Sequence, residues 1–180
     1  MLSLGEQNHA QEGPLIGGRA IDIHANKDWQ DTGFTLPAHE ENTGWILRAE
    51  GAWCFNTAER DFATRNADAR KPNSGAFFDA STTGRAEYPY HGEAGQVGQL
   101  IGRWGKDGQP FVIGTHANLE NSESADGSTL WLRINDDDNG LRDNDGHLTV
   151  TIATYDRTRR TQWNSVEQRW EYSDHHSPVK

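Results

Sequence analysis

The segment richest in chemistry runs Asn135-Asp136-Asp137-Asp138-Asn139-Gly140-Leu141-Arg142-Asp143-Asn144-Asp145-Gly146, five Asp and three Asn with Arg142 as its sole cation. Like charges this close repel, so an ordered conformation costs free energy until something neutralises them. Calcium would do so, because it takes roughly six to eight oxygen ligands from carboxylates, side-chain amides and backbone carbonyls. Gly140 and Gly146 permit the backbone folds that aim carbonyls inward. No Cys or His cluster accompanies the loop, which excludes a thiolate or imidazole metal. An EF-hand is excluded too: Asn135, Asp137, Asn139 and Gly140 fit its first half, but Gly146 stands where the bidentate Glu belongs. The competing reading is a solvated acidic turn without an ion, since Asp and Asn favour turns for local reasons.

Other reactive residues lack companions. His9, His175 and His176 fall near the chain ends, and His24, His39, His116 and His147 near strand ends, none at ligand spacing. Cys54 is the single cysteine, so no intrachain disulfide forms, and it lies in a strand without a neighbouring His. There is no G-x-S-x-G elbow, no Gly-rich phosphate loop and no marked pair of acids for glycoside hydrolysis. An enzyme is not expected.

The elements that must hold the loop read as β. Thr129, Trp131 and Arg133 alternate with Leu130, Leu132 and Ile134 before it, and Leu148, Val150 and Ile152 repeat the period of two after it. Ala20–His24, Gly33–Leu36, an extended Thr43–Phe55, Gln99–Trp104 and Phe111–Gly114 supply further strands. Lys106-Asp107-Gly108 signals a hairpin between the last two. Residues 56–87 break the pattern as a long insertion, with Phe62, Phe77 and Phe78 as apolar anchors and a short helix over Ala58–Ala69. Trp163, Val166 and Trp170 have near-helical spacing, with an extra strand as the competing reading.

The 180 residues suit one domain. Only 33% are hydrophobic, but seven Trp, six Phe and four Tyr offset this because each buried aromatic removes a large area from water. A net charge of −10 opposes phosphate backbones, and the basic run from Arg157 to Arg160 is short, so no nucleic acid partner is expected. No stretch approaches the roughly 20 apolar residues of a membrane span. Met1–Gly13 has neither a basic start nor an apolar run, so no secretory signal is expected.

Several segments together resemble the bacterial galactophilic calcium-lectin family. Trp29-Gln30-Asp31-Thr32-Gly33-Phe34 resembles its opening "W-x-D-T-G-I" strand, and Arg48-Ala49-Glu50-Gly51-Ala52-Trp53 its "A-x-G-x-W" strand. Gln99-Leu100-Ile101-Gly102-Arg103-Trp104-Gly105 and Pro110-Phe111-Val112-Ile113-Gly114 are similar to "L-I-G-R-I-G" and "P-F-x-I-G". Ile134-Asn135-Asp136 through Asp143-Asn144-Asp145-Gly146 resembles the "V-N-D … D-N-S-G" calcium loop, and the motif order is preserved from about Ala20 to Ile152. The resemblance implies a small jelly-roll sandwich on which galactose completes the coordination of calcium through two ring hydroxyls. Residue by residue it implies Asp136 as a carboxylate ligand, Gly140 as a carbonyl ligand, and Asp143 and Asn144 as side-chain ligands. A further carbonyl is implied from Phe55 or Asn56, with Phe55 favoured. Where the family has "E-H-P-D-Q-G", this chain has Glu87-Tyr88-Pro89-Tyr90-His91-Gly92. The implied sugar contacts are then Tyr88, His91, Asp136, Asp137 and Asp143.

The expected fold is therefore all-β, a jelly-roll-like β-sandwich of two antiparallel sheets with a long insertion loop. Residues 1–19 form a flexible N-terminal segment, 20–153 the calcium-dependent lectin-like sandwich, and 154–180 a C-terminal extension packed on or flanking it. The expected function is calcium-dependent binding of galactose or galactosides. The alternative is a calcium-stabilised structural or interaction domain without a sugar site. Family members often form oligomers, so a homo-oligomer is a further expectation, with Trp104 and Trp131 as interface candidates. Location is open between the cytoplasm and release by a non-classical route.

Overall fold

The computed structural model describes residues 16–72, 85–92, 95–121, 127–158, 161–164, 166 and 169–172. The acidic loop hangs between the two longest alternating runs, and each of those runs is the spine of one sheet. The first spine is strand β10 (Asp145–Asp156), whose Leu148, Val150 and Ile152 point inward and are buried. Strand β1 (Ile16–His24) pairs antiparallel along one edge of it, from His24 opposite His147 to Ile16 opposite Thr154. Strands β3 (Thr43–Glu50) and β4 (Trp53–Cys54) follow one another along the other edge in a single register, with Glu50 opposite Thr149 and Trp53 opposite Gly146. The extended segment expected from Thr43 to Phe55 is thus interrupted only around Gly51 and Ala52. Strands β5 (Thr64–Arg65) and β8 (His116–Asn118) complete this sheet beside β4 and β3.

The second sheet has the order β2 (Gln30–Thr35), β9 (Thr129–Ile134), β6 (Leu100–Trp104), β7 (Phe111–Val112), all antiparallel. Its spine β9 buries Leu130, Leu132 and Ile134 completely, as the alternation requires. β6 and β7 form the hairpin signalled by Asp107-Gly108. The inner faces meet in one apolar core, where Leu47, Trp53 and Val150 of the first sheet join Leu100, Leu132 and Ile134 of the second. The protein is an all-β sandwich of two antiparallel sheets, held chiefly by this burial.

Three details depart from the sequence expectations. Trp163 and Trp170 lie on a hairpin, β11 (Thr161–Asn164) with β12 (Arg169–Tyr172), so the extra-strand reading holds and the helix does not. Their apparent helical spacing is the spacing of two residues directly opposite one another across a turn that carries the exposed Val166. The start of the insertion holds only a 3-10 turn at Thr57–Glu59 and one α-turn at Arg60–Ala63, rather than a helix to Ala69. Its anchors are small: Ala63, Ala67 and Ala69 are fully buried, whereas Phe62 is 50% exposed. Short side chains let the segment lie flush on the sheet edge, where the Leu100 amide donates to the Ala67 carbonyl and Asp68 accepts from both the amide and hydroxyl of Thr115. Phe77 and Phe78 lie outside the described residues. Trp104 packs in the core, 4% exposed, the commoner use of a tryptophan. No helix among the described residues is long and apolar enough to cross a membrane.

Candidate functional site

The acidic loop is ordered by its own turns first. The Asp137 amide donates to Asp136 Oδ1 (2.8 Å), and the Gly140 amide donates to Asp137 Oδ1 (2.7 Å). A 3-10 turn over Leu141–Asp143 then returns the chain to β10, with the Asp143 amide donating to the Gly140 carbonyl at 3.3 Å. Gly140 lies so close to Asp136 that a Cβ there would meet both carboxylate oxygens at 3.0 and 3.1 Å. Any larger residue would push that carboxylate away.

Asp136 is the centre of the arrangement. It is 5% exposed, and its Oδ2 accepts from Asn144 Nδ2 at 3.0 Å. The second hydrogen of the same amide goes to the Ala25 carbonyl, also at 3.0 Å. Both Asn144 N–H bonds are therefore spent, and flipping the amide would set oxygen against oxygen at two contacts. This orientation leaves Asn144 Oδ1 buried with no hydrogen-bond partner. No Lys or Arg side chain among the described residues bonds to the Asp136 carboxylate. Its pKa is pushed up to about 6, chiefly by burial, with the Asp137 and Asp143 charges adding to the rise and the Asn144 and Asp137 hydrogen bonds opposing it. A buried anion without a basic partner and an orphaned acceptor beside it form a pair that a cation would satisfy.

The other residues expected at the site have different surroundings. Asp143 is exposed and near enough for its charge to bear on Asp136. The register of β4 on β10 carries Cys54, the residue before Phe55, opposite Asp145, the residue after Asn144. Tyr88 is buried, and its hydroxyl pKa is raised by burial, with the Asp136 and Asp137 charges acting the same way and Arg85 opposing. Tyr88 thus lies within electrostatic reach of the acidic loop. His91 is exposed, and its Nδ1 lies 3.2 Å from the Tyr88 carbonyl. Asp137 has one carboxylate oxygen committed to the turn at Gly140. Among the described residues no three His, Cys, Asp or Glu side chains cluster as a ready-made metal cage. The donors that the resemblance implies, two carboxylates, an amide and main-chain carbonyls, would suit a hard cation.

Two residues that hold this site have no signal in the sequence. Arg133, 1% exposed, crosses under the loop: its Nη2 donates to the Asp136 carbonyl (2.7 Å), Nε to the Ile134 carbonyl (3.0 Å), and Nη1 to Asp28 (2.6 Å) and Asp138 (2.9 Å). The counter-charge of the loop is therefore Arg133 from β9, while Arg142, the one cation within it, is exposed. Asn135, fully buried, accepts from the Tyr90 amide and donates to the Tyr90 and Gln96 carbonyls at 3.1, 2.9 and 3.1 Å. Its own carbonyl accepts from the Gly98 amide, and the Gly98 carbonyl accepts from the Trp53 indole at 2.7 Å. Gly98 manages this at φ +92°, where a side chain would be strained. Alternation put Arg133 on the outer face of β9; only the fold shows what covers it.

Asn135→Leu is expected to leave the Tyr90 amide and carbonyl unpaired, to take one of two donors from the Gln96 carbonyl, and to cost about 1–3 kcal/mol. The Tyr90 amide should then exchange with deuterium at least about tenfold faster. Unchanged protection at Tyr90 would rule out this clamp. His24 and His147, which looked isolated in the sequence, form a cross-strand pair with ring centroids 5.6 Å apart.

No family model matches the chain, and no curated protein does. Among solved structures, the chain is similar in fold to the EclA N-terminal domain, described as a PllA-like lectin, with 19% identity and a TM-score of 0.48. The alignment covers 75% of this chain and 94% of that one.

Proposed function

We propose that this protein binds carbohydrate through a calcium ion held at the Asp136 loop, and that it has no catalytic role. The observation that carries the reading is the buried Asp136 carboxylate, without a basic partner, beside the orphaned Asn144 Oδ1. Asp136, Asn144, Asp143 and the carbonyls of Gly140 and Phe55 would hold the ion. Bound calcium supplies a hard Lewis-acidic centre on which a pair of sugar hydroxyls can replace water. Around it, Asp137 offers its uncommitted carboxylate oxygen to a hydroxyl hydrogen. Tyr88 and His91, on the segment whose Tyr90 main chain Asn135 grips, would hydrogen-bond further hydroxyls. Galactose-type hydroxyl pairs are the ligand this reading favours, by the resemblance of the loop and the Glu87–Gly92 segment to the galactophilic lectins. A shallow site of this kind has millimolar to micromolar affinity at order of magnitude, because few ligand atoms are engaged.

Calorimetric titration of calcium and then of a galactoside panel tests the proposal. Asp136→Ala should lower calcium affinity at least about a hundredfold and abolish sugar binding with it, whereas His91→Ala should weaken sugar alone. A calcium isotherm unchanged by Asp136→Ala would refute the ligand assignment. Calcium binding with no sugar response across the panel would leave the structural-domain alternative standing in its place.

A further inference from the structure

A cleft of about 540 Å³ opens directly beside the acidic loop. Trp29, Tyr88, Pro89, Pro110 and the two arginines Arg103 and Arg133 are in its walls. Asp138 belongs to the loop, and Tyr88 lies within electrostatic reach of Asp136 and Asp137, so the cleft adjoins the loop.

The two arginines differ in what they have already spent. Arg133 has spent four of its five N–H groups on two carboxylates and two carbonyls. Arg103 donates no hydrogen bond to any described residue, and its Nε is buried without a partner. Stacking holds it in place instead: its guanidinium carbon lies 4.3 Å from the Trp29 ring centroid and 5.9 Å from that of Trp131. A guanidinium held on aromatic rings while its N–H groups stay unspent is pre-organised for a planar, two-oxygen acceptor. Asp28 and Asp107 act on it only through their charge, and they do not offset its desolvation.

We propose that this cleft is a second subsite, in which Arg103 takes the carboxylate of a uronic acid unit linked to the sugar at the Asp136 loop. The proposal deepens the calcium-dependent reading and rests on it. The walls favour this class of ligand. Glu87, Asp107, Asp28 and Asp138 also line the cleft, so a dianionic phosphate meets more repulsion than a single carboxylate. Trp29, Pro89 and Pro110 supply apolar surface suited to a pyranose face.

Digalacturonic acid and its dimethyl ester are the probes, titrated in calcium and in chelator. The acid should bind wild-type protein about tenfold more tightly than the ester, and high salt should shrink that ratio. Arg103→Met should bring the ratio to about one without changing ester affinity, and Arg103→Lys, which keeps the charge but loses the fork, should fall between. Any preference arising from direct contact between calcium and the carboxylate would survive Arg103→Met, and that result overturns the assignment. Equal binding of acid and ester by the wild type overturns it as well, a measurement that needs no variant to fold. If acid and ester binding both ignore chelator, the calcium reading fails while the role of Arg103 is still read from the ratio.

Discussion

Arg133→Met is expected to destabilise the protein by about 2–4 kcal/mol in chemical denaturation. The cost arises mainly from the carbonyls of Ile134 and Asp136, which lose their donor in a buried place. Asp28 and Asp138 contribute little, because their side chains are 68% and 79% exposed and water replaces the lost partner. Calcium binding should weaken as well. Removing a positive charge favours a bound cation by about 1 kcal/mol, but ordering each freed loop residue costs about 1–2 kcal/mol. Ordering wins, and a fall in calcium affinity of about tenfold or more is expected. Arg133→Lys should rescue neither property, since one ammonium cannot serve two carbonyls and two carboxylates placed around a planar fork. Rescue by Lys would show that charge alone braces the loop.

In chelator, the contribution of Asp136 to stability should run opposite to that of an ordinary carboxylate. Its pKa is about 6 in the folded protein, against an ordinary value of 3.8. The protonated form is favoured by folding, so this contribution is fully present below about pH 4 and is lost as pH rises through about 6. About two pKa units correspond to about 3 kcal/mol of stability lost across that window. Subtracting the denaturation profile of Asp136→Ala from that of the wild type isolates it from Glu87 and Asp145. Those two have lowered pKa values, set first by a backbone hydrogen bond at Glu87 and by the Arg60 hydrogen bond at Asp145, and they act in the opposite direction. Adding calcium at neutral pH should restore the lost stability, because the ion takes over the role of the proton. Parallel profiles for the two proteins from pH 4 to 7 would mean that Asp136 is not held as an uncompensated buried charge.

Strand alternation made much of this fold legible. Leu130, Leu132 and Ile134, then Leu148, Val150 and Ile152, are buried as a period of two demands, and the acidic loop between them is where the sequence set it. Spacing misled at Trp163 and Trp170, because two residues opposed across a hairpin can imitate a helical interval. Phe62 misled through its size: an aromatic suggests an anchor, yet Phe62 is half exposed while Ala63, Ala67 and Ala69 are buried. The site was legible where chemistry is local, as in the Asp and Asn run. It was not legible at Arg133, whose acceptors include Asp28, 105 positions away, nor at Asn135, whose partners sit about 40 positions earlier. Such contacts exist only once both sheets have formed.

Asn135 grips only main-chain atoms of Tyr90 and Gln96. An exposed side chain of the Tyr88–Gly92 segment, such as His91, can consequently be exchanged without loosening the grip. On the proposed reading, ligand choice and ion capture would thereby be separable heritable traits, and substitutions at such positions would shift sugar preference in single steps while the inorganic anchor stays the same.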